Sequence, residues 1–291
     1  MLVELAIGDA YGAGFEYAPA PFVKTYNDLS GYVQHPRHGI GPGSYTDDTQ
    51  MSIAISEAML TNEAWTHARL ADHFVNAFKR DPREGYAGGF YGFLQEVQSG
   101  EEFLARIRPH SNKSGAAMRA GPIGIYPTIE EVIERTTLQA ELTHNTPGGK
   151  RAAIAAALMT HYCFYRLGPK AQLGEFLHAH VPGPWTKPWR GKVGAPGMES
   201  VRAALTAVVA HDSLSAILQQ CIAFTGDVDT VATVALCAAS CYAFTAHLPA
   251  QVRTVEVAQD LPQVLYDGLE DGAYGRRYLA QLDEALRRKV G

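Results

Sequence analysis

Two short acidic segments, far apart in the chain, constrain what it can fold into. One is Thr46-Asp47-Asp48-Thr49, inside GPGSYTDDTQMSIAI; the other is Asp227-Val228-Asp229-Thr230, inside FTGDVDTVATVALCA. Each sets two carboxylates and a threonine hydroxyl just ahead of an apolar, alanine-rich stretch that reads as a buried helix. A Thr or Asp at such a place caps the free N–H groups of the helix, and acidic side chains complement its positive end. Capping accounts for one threonine and one aspartate in each segment and leaves a second carboxylate over. Buried carboxylates need compensation, which cations supply. Carboxylates and hydroxyls together are hard oxygen ligands, the set that suits Mg²⁺, Mn²⁺ or Ca²⁺ and not zinc. A fold that brings the segments together can hold two metal ions among four carboxylates.

Helical periodicity dominates the rest of the chain. Leu2, Val3, Leu5 and Ala6 open a first helix, after which Gly8, Gly12 and Gly14 are expected to loosen the chain into a loop. Met51 to Leu60 continues the first acidic segment as a helix, and Thr66 to Phe78 has an amphipathic pattern with Leu70, Phe74, Val75 and Phe78 on one face. Thr128 with Glu131 three residues later is a capping box that starts a helix to Ala140. Ala152 to Tyr165, Gln172 to Ala179, Met198 to Val209, Ser213 to Ala223 and Ala273 to Val290 also read as helices. Val231 to Ala246 is the longest apolar run, too short to span a bilayer comfortably, and reads as the central core helix. Alternating, strand-like runs are nearly absent. The expectation is an all-α, multi-helix single domain over residues 1–291, with Gly- and Pro-rich loops gathered at one end.

A hydrophobic fraction of 46% with 19% charged residues is ordinary for a chain with a sizeable core. The net charge of −5 argues against bulk nucleic-acid or anionic-membrane binding, both of which need basic surfaces. Cys163, Cys221, Cys237 and Cys241 form no Cys-x-x-Cys pair and read as small buried residues in a reducing, cytoplasmic setting, with no signal peptide before Met1. His144 has no Cys or His partner at zinc spacing, and no Gly-x-Ser-x-Gly elbow supports a serine nucleophile.

Five ordered blocks resemble the ADP-ribosylglycohydrolase superfamily: AIGDAYGAGFEY from Ala6, GPGSYTDDTQMSIAI, SNKSGAAMRAGPIG from Ser111, THNTPGGKRAAIAAA from Thr143, and TGDVDTVATVA. The resemblance implies an all-α fold with a loop-lined cleft that binds two Mg²⁺ or Mn²⁺ ions. It also implies hydrolysis of the bond between ribose C1″ and a modified atom. The implied metal ligands are Thr46, Asp47, Asp48, Asp227, Asp229 and Thr230; Val228 replaces the usual threonine between them, at a position that is not itself a ligand. Glu16 matches a glutamate on a mobile loop with a gating or acid–base role. Asp48 is the first choice as catalytic acid–base and Glu16 the second. Ser111, Asn112, Lys113, Ser114, Gly115 and Met118 match a loop that enters a helix and binds the diphosphate and ribose, with Lys113-Ser114-Gly115 standing where the family commonly has Gly-Asn-Gly. His144 matches a histidine near the ADP-ribose.

The substrate these features imply is an ADP-ribosylated protein or a small ADP-ribose conjugate, with arginine the first linkage, as in bacterial relatives. Serine, O-acetyl-ADP-ribose and a nucleic-acid base are alternatives. A different class of reading is a binding or structural member that has lost catalysis, against which the complete ligand set argues.

Overall fold

The structure is a computed structural model that describes residues 1–61, 63–243 and 256–290. Its helices are α1 (Leu2–Ala13), α2 (Ala20–Tyr26), α3 (Asp47–Leu60), α4 (His67–Arg80), α5 (Gly88–Glu96), α6 (Gly100–Arg106), α7 (Gly115–Met118) and α8 (Ile129–Glu141). They continue with α9 (Pro147–Tyr165), α10 (Leu173–His180), α11 (Gly197–Ala210), α12 (Leu214–Ala223), α13 (Val228–Ser240), α14 (Gln263–Gly268) and α15 (Arg276–Val290). Among the described residues there is no β-strand, only isolated bridges such as Val193 with Gly226. The all-α expectation holds.

Many helix starts follow local chemistry. Thr66, Ser99, Thr128, Thr146 and Ser213 each accept a hydrogen bond from the backbone N–H three residues on, the arrangement that satisfies an otherwise orphaned donor. Pro147 at the first position of α9 needs no donor partner there. The amphipathic α4 buries Leu70, Phe74, Val75 and Phe78, as its spacing predicts. In α15, Leu279, Leu282 and Leu286 recur on one buried face, and that helix packs on α1 and α3. On the same face the buried Asp283 accepts from the Met1 ammonium at 2.8 Å, which ties α15 to the start of α1.

At the centre α1 packs against α13, and every residue of α13 is buried. A helix that is apolar around its whole circumference needs neighbours on all sides, and α1, α9, α11 and α12 supply them. The expected core helix is therefore present but ends at Ser240, followed by a short turn at Cys241–Ala243. Residues 244–246 of that expectation lie outside the described residues. All four cysteines are buried and unpaired by disulfides.

The glycine-rich loop expected after Ala6 is not a loop. Gly8 and Gly12 lie inside α1, and they are what lets α1 and α13 touch backbone to backbone. A Cβ on Gly12 would stand 2.3 Å from Cα of Asp229, and one on Gly8 would stand 2.7 Å from the Ala232 carbonyl oxygen. Packing that depends on missing side chains overrides the weak helix propensity of glycine. The first acidic helix also starts earlier than expected, at Asp47 in place of Met51, so both aspartates belong to its first turn.

Gly12→Ala should therefore lower stability by about 1–3 kcal/mol, the usual cost of overpacking a tight contact. Urea unfolding of the variant beside the parent measures it, and an unchanged midpoint would mean that the two helices separate freely.

Candidate functional site

The two acidic segments meet at the ends of α3 and α13, and neither is a self-capped helix start. Thr46 is the N-cap residue of α3 and Asp227 that of α13, yet the side chain of neither caps its own helix. The cap on α3 comes from another helix. Asp9, fully buried in α1, accepts the amides of Thr46 and Thr49 on Oδ2, each at 2.9 Å. The Thr49 hydroxyl donates to the same oxygen at 2.6 Å, and the Thr46 hydroxyl donates to Oδ1 at 2.7 Å. With its proton given to Asp9, the Thr46 oxygen keeps its lone pairs for a further partner. The start of α13 is set by Gly226, whose φ of 97° few side chains tolerate and whose Cβ would lie 1.8 Å from the Val193 carbonyl oxygen. That close contact carries two backbone bonds, Val193 N–H to Thr225 O at 2.9 Å and Asp227 N–H to Val193 O at 3.2 Å.

Glu16 completes the cluster. Carboxylate oxygens of Glu16, Asp227 and Asp229 all lie within 4.8 Å of one another. The Thr230 hydroxyl donates to Asp48 and so joins the two segments directly. Ser200 Oγ donates to Asp227 Oδ2 at 3.0 Å, and the Ser114 hydroxyl donates to the same carboxylate. The backbone that carries Glu16 is tied down at several points. Tyr17 N–H donates to the Gly226 carbonyl at 2.8 Å, His35 Nε2 lies 2.9 Å from the Glu16 carbonyl, and Arg37 donates to the Tyr17 carbonyl.

The electrostatics are one-sided. Among the described residues no Lys, Arg or His forms an ion pair with Asp9, Glu16, Asp47, Asp48, Asp227 or Asp229. Burial, with the nearby charges of Asp227 and Asp9, pushes Glu16 up to about 7. Burial pushes Asp227 up to about 6, against the pull of the Ser200 and Ser114 hydroxyls and of Lys113. Burial first, and the other carboxylates next, hold Asp47, Asp48 and Asp229 well above the ordinary carboxylate range. Asp48 Oδ1 and Asp229 Oδ1 are sealed from solvent and have no hydrogen-bond partner among the described residues. Orphaned buried carboxylate oxygens, an all-oxygen donor set and no internal cation form a combination that fits a divalent metal ion.

Beside the cluster lies a cleft of about 540 Å³. Of the residues singled out from sequence, Glu16, Asp47, Asp48, Asp227, Asp229 and Thr230 line it, together with Ser111, Lys113, Ser114, Gly115, Met118 and His144. Thr46 and Asn112 do not line it. Thr46 is buried behind the cluster against Asp9, and Asn112 is an exposed residue whose carbonyl accepts from Gly197 at 3.0 Å. Ser114 turns its hydroxyl to Asp227, away from the donor role toward substrate that its position in the loop implies.

Sequence reading missed four contributors. Asp9 lay inside a quoted block, and its signal was a carboxylate beyond the first turn of a largely apolar helix. Arg119 and Thr143, described below, carried no signal beyond their place in two further blocks. The fourth is an aromatic wall of Tyr86, Phe90 and Phe93, beside Arg106 and Arg108, which no periodicity marked. Phe90 and Phe93 are stacked at a centroid distance of 5.9 Å, and both belong to α5, a helix the sequence pattern did not reveal.

Comparison with known proteins agrees with this geometry. A family model described as ADP-ribosylglycohydrolase matches residues 1–284. ADP-ribosylhydrolase ARH3 of Xenopus tropicalis is 33% identical over 143 residues, covering 46% of this chain and 41% of that protein. The Mus musculus ARH3 is 27% identical over 191 residues, covering 60% of this chain and 51% of that protein, so the match spans about half the length of these relatives. The ADP-ribosyl-[dinitrogen reductase] glycohydrolase of Rhodospirillum rubrum is 25% identical over 240 residues, covering 79% of this chain and 80% of that protein. A solved structure titled ADP-ribosylglycohydrolase-related protein complex shares the fold, with a TM-score of 0.73 at 21% identity over 100% of this chain and 96% of the other. Among the described residues no helix is long and apolar enough to cross a membrane.

Two outcomes follow from the site's construction. Asp9→Ala should lower stability by about 3 kcal/mol, because two backbone amides and two hydroxyls lose one charged acceptor; urea unfolding measures it. The raised carboxylates set the second. Glu16 and Asp227 bind protons more tightly in the folded protein than their ordinary values of 4.5 and 3.8 allow, so the folded state holds more protons than the unfolded chain. Their ionisation therefore removes stability from the metal-free protein as pH climbs from about 4 through about 7. Thermal melts in EDTA across that range should show the falling contribution, and Mg²⁺ or Mn²⁺ should reverse it at the upper end.

Proposed function

We propose that this chain, which belongs to the ADP-ribosylglycohydrolase family, hydrolyses the C1″ bond of ADP-ribosylated substrates with the help of two divalent cations, Mg²⁺ or Mn²⁺. The observation that carries this reading is the convergence of Glu16, Asp48, Asp227 and Asp229 on one cleft, with two buried carboxylate oxygens that have no hydrogen-bond partner among the described residues. In this reading the whole chain acts as one domain in the cytoplasm, on an ADP-ribosylated protein or a small ADP-ribose conjugate, with no membrane partner.

Thr46, Asp47, Asp48, Asp227, Asp229 and Thr230 are the proposed metal ligands. When bound, the cations would supply Lewis-acid stabilisation of developing negative charge and grip the vicinal hydroxyls of the ribose. The protein's own part is acid–base chemistry and orientation. Departure from C1″ has oxocarbenium character and leaves a group that needs a proton. Asp48 and Glu16 are the carboxyls proposed to handle that proton. Glu16 reaches the cleft from the loop after α1, beside Asp227 and Asp229, where a carboxyl can pass a proton to the leaving group. Ser111, Asn112, Lys113, Ser114, Gly115, Met118 and His144 are proposed to bind the diphosphate and ribose. The exposed ammonium of Lys113 adds positive charge beside the cleft, and the amide of Gly115 opens α7.

Arginine is the first proposed linkage, following the bacterial members the sequence resembles. A second reading keeps the same site and releases another linkage, to serine, to an acetyl group or to a base. A panel of arginine-, serine-, acetyl- and base-linked ADP-ribose, each with Mg²⁺, Mn²⁺ or EDTA, separates them, and no release from any member would sink the proposal.

With an active substrate in hand, Asp48→Ala and Asp229→Ala should each abolish turnover and weaken Mn²⁺ binding while the helical circular-dichroism spectrum persists. Glu16→Ala should lower kcat by on the order of 10²-fold or more, the size of an acid–base contribution. Unchanged kcat in the Glu16 variant would leave that carboxylate no part in the proton transfer.

A further inference from the structure

Arg119 follows α7 and is only 1% exposed, yet its guanidinium forms no ion pair with a carboxylate among the described residues. Its donors go to neutral groups on and after α8. Nε donates to Gln139 Oε1 at 2.6 Å, and Nη2 donates to the Gln139 carbonyl at 3.1 Å and to Thr143 Oγ1 at 2.8 Å. Gln139 Nε2 in turn donates to the Ala116 carbonyl at 2.9 Å, so α7 and α8 are braced together.

These bonds have directions. A guanidinium has donors only, so the Thr143 oxygen accepts from it. The Thr143 hydroxyl proton then needs an acceptor, and the one polar atom left at hydrogen-bond distance among the described residues is His144 Nδ1, at 2.7 Å. The hydroxyl therefore donates and Nδ1 accepts. A neutral imidazole that accepts at Nδ1 carries its proton on Nε2. That edge of the ring faces the loop that enters α7. A Cβ on Gly115 would stand 2.9 Å from His144 Cε1 and 3.3 Å from Nε2. His144, Gly115, Ser111, Lys113 and Arg108 all line the cleft.

We propose that Arg119 and Thr143 are positioning residues that hold His144 as the neutral Nε2–H tautomer, so that the ring offers the cleft one fixed hydrogen-bond donor for an anionic oxygen of the ligand and takes no part in proton transfer. The identity of that ligand as ADP-ribose rests on the function proposed above; the tautomer is a property of the protein alone. Burial and the Arg119 cation push His144 down to about 3, which keeps the ring neutral at any pH where the enzyme would work. Lys113 and Arg108 also line the cleft, and among the described residues no carboxylate lies at hydrogen-bond distance from the ring to offset Arg119. A neutral donor among cations suits an oxygen-rich anion, because it adds direction without adding another mobile charge.

Nitrogen-15 NMR of histidine-labelled protein tests this without substrate, with the His144 signals assigned by their loss in His144→Gln. The expected spectrum has the His144 proton on Nε2, Nδ1 bare, and no titration between about pH 5 and about pH 8. Thr143→Ser should keep that signature. Thr143→Val should lose it, giving mixed tautomers and ADP-ribose binding about tenfold weaker by calorimetry, the loss expected for one well-oriented hydrogen bond. A proton on Nδ1 in the parent, or a His144 that titrates near pH 6, overturns the proposal even if Thr143→Val does not fold. A parent with the expected spectrum that fails to bind ADP-ribose would remove the proposed ligand and leave the tautomer assignment standing.

Discussion

The site depends on one buried carboxylate that never reaches the cleft. Asp9 caps α3 from a different helix, taking two amides and two hydroxyls that would otherwise compete for the aspartates of the first turn. In an ordinary helix start, a local Thr or Asp satisfies those donors, and its oxygen is then committed to the backbone. Here the commitment is moved to α1. Asp47 and Asp48 are left free of the capping of α3, held at its positive end where their charge is best tolerated. The interaction also orients the Thr46 hydroxyl, because a group that donates to Asp9 can only accept from its other side.

What results is a strained distribution of charge. Several carboxylates share a small volume with no internal counter-ion, and the protein answers with raised proton affinities in place of salt bridges. Burying like charges together is costly unless something is bound that needs them. The surroundings are built to resist relaxation. The residues of α13 are all buried, Gly226 is wedged on Val193, and the Glu16 backbone is tied to Gly226 and His35. Across the same cleft the polarity reverses without any carboxylate. Arg119 is buried against Gln139 and Thr143 and lies over the Phe74 ring at 4.5 Å, so its charge is held in place and leaves the adjacent imidazole neutral.

The acidic segments were legible in the sequence because adjacent carboxylates ahead of apolar helices have few structural explanations, and the structure does bring them to one cleft. Thr66, Thr128 and Ser213 were equally readable, since a cap bonds to its own helix three residues on. The reading failed where the deciding partner was distant. Gly8 and Gly12 look like loop residues until α13 is set against them, and Asp9 looks incidental until α3 arrives. The short helices α5 and α6 begin at glycines and bury only Leu94, Gly100 and Phe103, too few positions to leave a period. The Glu16 loop, read by resemblance as mobile, has backbone partners on two separate segments, at Gly226 and at His35 and Arg37, that no local pattern announces.

Asp9 and Gly12 are three residues apart on α1, so the group that fixes the first acidic segment and the contact that seats the second are separated by about 4.5 Å of helical rise and lie on nearly the same face. The first helix thus works as a gauge. The spacing between the two carboxylate sets is inherited from helix pitch, with the Val193 contact on Gly226 as its second support. A single residue inserted between Asp9 and Gly12 would turn one contact about 100° away from the other and put the two halves of the site out of register, though every carboxylate would still be present. Insertions in the connections between α3 and α13 that leave Val193 seated on Gly226 carry no such penalty. Relatives of very different length can therefore share this arrangement wherever the interval from Asp9 to Gly12 is kept.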